Sequence, residues 1–80
     1  MSMDVQRSIG QALRQYRTGA GVSQLELAAR SGVHSTYISN IERGQRNPGL
    51  HTLERLAEAL AVPASELLRV AEEIRARGGR

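Results

Sequence analysis

Ser23 to Arg43, SQLELAARSGVHSTYISNIER, is the stretch that decides the fold. Its first four residues, Ser23-Gln24-Leu25-Glu26, have the spacing of a capping box, in which the serine hydroxyl accepts from the Glu26 backbone N–H and the glutamate reaches back to the serine N–H. A helix therefore starts here, and Gly32 stops it after a short run. A second helix is predicted from about Ser35 to Arg43, capped by His34 where Ser, Thr or Asp would serve better, and ended by Gly44 in a left-handed conformation. Two helices this short can cross steeply only if the crossing residues are small. Ala28 lets the second helix approach the first, Gly32 permits a positive φ in the turn, and Ile38 and Ile41 bury the inner face of the second. Together these features read as a helix-turn-helix over residues 23 to 43.

Working outward, a helix is predicted from about Val5 to Thr18, with Ile9, Leu13 and Tyr16 on one stripe and Gly19-Ala20-Gly21 as its stop. After the helix-turn-helix, Gln45-Arg46-Asn47-Pro48-Gly49 is a turn-rich loop. Leu53, Leu56, Ala57 and Leu60 then recur at helical spacing in a segment ending near Ala61. Pro63 stands where a last helix begins, about Ala64 to Ala76, with Leu67, Leu68, Ala71 and Ile74 on one side and Arg69, Glu72, Glu73 and Arg75 on the other. The expectation is an all-α, five-helix domain over residues 1–76, with 77–80 as a frayed, disordered tail.

Composition supports the class. At 80 residues there is room for one domain with a small core. With no Phe, no Trp and two Tyr, that core must come from Leu, Ile, Val and Ala, which suits short packed helices. The absence of cysteine excludes a disulfide framework, a thiolate metal site and a thiol nucleophile. The sole Asp is Asp4, His34 and His51 have separate roles, and there is no Gly-rich phosphate loop, so no enzyme activity, metal or cofactor is expected. No stretch approaches the ~20 apolar residues of a membrane span, and a soluble protein in the cytoplasm is expected.

Charge is placed unevenly. Residues 1 to 50 carry six Arg against Asp4, Glu26 and Glu42, whereas residues 51 to 80 carry five Arg against five Glu. The N-terminal part therefore suits a polyanion and the C-terminal part a neutral contact. With Ile38 and Ile41 inward, Ser35, Thr36, Ser39 and Asn40 fall on the outer side of the helix from about Ser35 to Arg43 and are the candidates for reading bases, Asn40 by a bidentate bond to adenine. Gln24, at a helix N-terminus, and Arg43, Arg46 and Asn47, in the exposed loop, are candidate phosphate contacts. Tyr37 has two readings, packing on the loop after Gly44 or giving its hydroxyl to a phosphate. Arg7 and Arg14 read as solvated surface.

On these residues the chain resembles the Cro/CI-type (XRE-like) helix-turn-helix regulators. The densest match is LRQYRTGAGVSQLELAARSGVHSTYISNIERGQRNP, continued by LHTLERLAEALAVPASELL. The resemblance implies a five-helix lambda-repressor-like domain that binds a double-stranded DNA operator as a two-fold dimer. It places base contacts at the positions of Ser35, Thr36 and Asn40 and a phosphate clamp at Gln24. It also lets Arg46 reach bases and joins Arg17 to Glu42 in a largely buried salt bridge. TYISNIERGQRNP in a chain this short looks most like the controllers of restriction-modification systems, with short phage repressors and antitoxins as close competitors. RNA polymerase, or for an antitoxin a toxin protein, would be a further partner. A single recognition helix reads few base pairs, so a homodimer is expected, with Leu67, Leu68, Ala71 and Ile74 as its interface.

Overall fold

Five helices make up residues 4–78, the part of the chain that the computed structural model describes: α1 (Val5–Gly19), α2 (Gln24–Ser31), α3 (Ser35–Glu42), α4 (Leu50–Ala59) and α5 (Ala64–Ala76). Local chemistry sets most of the ends. Asp4 caps α1 by accepting from the Arg7 backbone N–H at 2.8 Å. The capping box of α2 is complete, with Glu26 N–H on the Ser23 hydroxyl at 3.0 Å and Ser23 N–H on the Glu26 carboxylate at 2.9 Å. The Ser23 backbone N–H on that carboxylate, and after it the Ser23 hydroxyl, hold the Glu26 carboxyl below its ordinary pKa. Gly32 closes α2 at φ 74°, and His34 Nδ1 caps α3 by accepting from the Thr36 N–H at 3.3 Å. The end of α4 differs: Leu60 is its cap, and Ala61 takes the left-handed conformation, φ 61°, without being glycine. Of the expected tail, Arg77 caps α5 and Gly78 turns at φ 76°, while residues 79 and 80 lie outside the described residues.

Leu13, Leu27, Ile38, Ile41 and Leu56 are fully buried together, so the inner faces of α2 and α3 rest on α1 and α4. The axis of α5 runs along α1, where Ala12 meets Ala71 and Ile74, while Leu67 packs with Leu53 and Ala57 of α4. This corrects the expected dimer interface. Leu67, Ala71 and Ile74 are 1%, 3% and 6% exposed in the single chain, because α1 and α4 together cover a stripe that α4 alone could not. Only Leu68, at 40%, stays on the outside.

Gly10 fixes the seating of α3. A Cβ there would overlap the Ile41 carbonyl oxygen and lie 3.0 Å from that of Glu42, so α1 meets the end of α3 backbone to backbone. Gln6 ties the same junction by donating from Nε2 to the Gly44 carbonyl at 2.7 Å.

Candidate nucleic-acid interface

Burial of Ile38 and Ile41 turns Ser35, Thr36, Ser39 and Asn40 outward, Thr36 exposed and the other three half-buried. Their side chains can donate to or accept from base edges in a major groove, which admits one helix. At the C-terminal end Arg43 is exposed, and its Nη2 donates to Asn40 Oδ1 at 2.6 Å. Two residues assigned separately from the sequence, one to bases and one to phosphate, are thus joined.

The structure brings Arg17 and Glu42 together in a two-bond pair. Arg17 Nε donates to Glu42 Oε2 at 2.6 Å and Nη2 to Oε1 at 2.9 Å, with side chains only 12% and 4% exposed. Arg17 Nη1 also donates to the Val22 carbonyl at 2.9 Å. Hydrogen bonding to Glu42 pushes the guanidinium pKa above its ordinary value, against the opposing effect of burial. One ion pair therefore ties α1 and the chain entering α2 to the end of α3.

Gln24 makes a contact that the sequence did not suggest. Its Nε2 donates to Glu42 Oε1 at 3.1 Å, so the amide belongs to the buried pair and has one N–H fewer to offer a phosphate. The structure shows the loop contact of Tyr37. The Tyr37 hydroxyl donates its single proton to the Asn47 carbonyl at 3.1 Å, and the Arg46 guanidinium lies 5.4 Å from the ring centroid. That brace holds Arg46 and Asn47 beside the recognition helix, both exposed.

One basic surface was missed. Arg7, Gln11 and Arg14 occupy one face of α1 and line, with Arg43 and Glu42, a concavity of about 200 Å³. Their spacing of four and three was visible in the sequence; that this face abuts α3 was not. Among the described residues no helix is long and apolar enough to cross a membrane, and no three His, Cys, Asp or Glu side chains group as a metal site would require.

Comparison with known proteins agrees with this geometry. Residues 13–67 match the HTH_3 family, described as helix-turn-helix. The chain is 41% identical over 71 residues to the uncharacterized HTH-type transcriptional regulator y4dJ of Sinorhizobium fredii, covering 89% of this chain and 92% of that one. It is 41% identical over 69 residues to the control protein C.BamHI of Bacillus amyloliquefaciens, covering 85% of each. The crystal structure of the restriction-modification controller protein C.AhdI from Aeromonas hydrophila superposes with a TM-score of 0.76 at 44% identity, over 78% of this chain and 94% of that one. With α2 and α3 packed as a recognition pair and these relatives around it, the chain belongs to the XRE-type helix-turn-helix family of DNA-binding transcriptional regulators.

Proposed function

We propose that the protein binds a pseudo-palindromic operator as a homodimer, places the outer face of α3 in successive major grooves, and controls transcription in the manner of a restriction-modification controller. The observation that carries this is the division of α3: Ile38 and Ile41 are fully buried, while Ser35, Thr36, Ser39 and Asn40 line the opposite side with Arg43, Arg46 and Asn47 at its end. Readout belongs to the four polar residues and anchoring to the cationic end. The similarity to the control protein C.BamHI and to the restriction-modification controller protein C.AhdI supports the controller assignment. Its work is binding rather than catalysis, carried out in the cytoplasm where the DNA is.

With Leu67, Ala71 and Ile74 taken by the protomer core, the dimer contact centres on the outer surface of α5 around Leu68. Selection of duplexes from a random pool tests the reading. Two half-sites about one helical turn apart should be enriched, and if each protomer neutralises ~3 phosphates the log-log salt slope should be roughly −5. Enrichment of no duplex over background would defeat the proposal, and a strict monomer in sedimentation at micromolar concentration would defeat the dimer.

A further inference from the structure

Asn40 and Arg43 lie one turn apart on the exposed side of α3, already joined by the 2.6 Å bond from Arg43 Nη2 to Asn40 Oδ1. A guanidinium donates and never accepts, so this bond decides which end of the carboxamide faces it. The oxygen turns toward Arg43, and the Nδ2 amino group is left to reach outward. Base edges respond differently to an amide held this way. Adenine uses both ends, its N6 amino group donating to the amide oxygen while N7 accepts from the amide nitrogen; guanine presents only acceptors, N7 and O6. With Oδ1 carrying an arginine proton and a positive charge beside it, a second donor from adenine N6 is disfavoured. The guanine acceptors match the free Nδ2.

We infer that Arg43 is a positioning residue for sequence readout: it holds Asn40 so that Nδ2 reads an acceptor, which moves the preference at one base pair of each half-site from adenine to guanine. The guanidinium has five N–H donors, so those not on Asn40 can meet a phosphate. Seating on the backbone and orientation of the reading amide then run through one side chain. The inference rests on the proposal that Asn40 faces the bases, and the test separates the two.

The full chain and its Asn40→Ala, Arg43→Ala and Arg43→Lys variants are each titrated against duplexes bearing all four base pairs at every position of the selected site. Asn40→Ala identifies the base pair concerned as the position where discrimination flattens. If no position flattens, the base-facing reading of Asn40 fails and this inference with it. At the position found, the wild-type chain should prefer guanine, and Arg43→Ala should raise adenine relative to guanine about tenfold. Arg43→Lys, which keeps a cationic donor, should preserve the wild-type preference. Uniform weakening on every duplex by Arg43→Ala, with that position unchanged, would make Arg43 a phosphate anchor only and overturn the inference while sparing Asn40. A wild-type preference for adenine there overturns it as well.

Discussion

The backbone of Gly10 lies directly against the carbonyl oxygen of Ile41, leaving no room for a side chain between α1 and α3. In an isolated helix, replacing a mid-helix glycine by alanine gains roughly 0.5–1 kcal/mol. Here the added methyl must displace a helix backbone, and overpacking of that kind costs ~1–3 kcal/mol. Gly10→Ala should therefore lose about 2 kcal/mol in urea unfolding. Gly19→Ala is the control: nothing lies within 4 Å of its Cβ position, and it should be neutral or stabilising. Equal behaviour of the two variants would contradict the close crossing.

Arg17→Ala removes one half of a pair whose other half, Glu42, is almost wholly buried. The carboxylate would keep only the Gln24 amide, and an uncompensated buried charge of this kind costs about 3 kcal/mol or more. For a domain of this size the melting temperature should fall by roughly 12 °C or more, with operator affinity lost in step. If Arg17 served a phosphate instead, affinity would fall with the melting temperature unchanged.

The sequence made legible whatever local chemistry determines. Ser23 and Glu26 announce the start of α2 because both partners of the capping box lie within four residues, and Gly32 and Gly44 mark turns only a positive φ can make. Contacts between distant segments were out of reach. Nothing near Gly10 says that it will meet Ile41, nothing near Gln24 that its amide will turn to Glu42, and Tyr37 finds Asn47 only once the loop folds back. The stripe of Leu67, Ala71 and Ile74 shows how the reading of α5 went astray. Amphipathicity tells that a face will be buried but not by what, and here α1, through Ala12, supplied the cover that had been given to a second protomer.

Ala61 offers a stabilising substitution. It holds φ 61° just past the end of α4, where a Cβ crowds the following carbonyl at a cost of ~1 kcal/mol. Ala61→Gly removes the crowding but loosens the unfolded chain, for a net gain of about 0.5 kcal/mol. The melting temperature should rise by roughly 2–4 °C, and operator affinity should not change, since Ala61 is none of the residues proposed to meet DNA. A lower melting temperature would show that the left-handed turn is not strained.

Acid should weaken the junction between α1 and α5. Glu66 accepts from Arg69 Nη2 at 2.8 Å and from the Tyr16 hydroxyl at 2.7 Å. These bonds, the arginine's foremost, hold its carboxyl pKa down at about 2. The same carboxylate pushes the Tyr16 phenol up from its ordinary value. A carboxyl with a lower pKa folded than unfolded lends stability that is complete above the unfolded value, ~4.3, and is lost as pH falls from there toward about 2. Glu66→Gln should therefore melt below wild type at pH 7, and the gap should narrow steadily between pH ~4.5 and pH ~2. High salt should shrink the same gap at neutral pH, because Glu66 and Arg69 are partly exposed and their attraction is screened. A gap that persists unchanged to pH ~2 would show that the carboxylate charge contributes nothing and that Glu66 acts only through its shape.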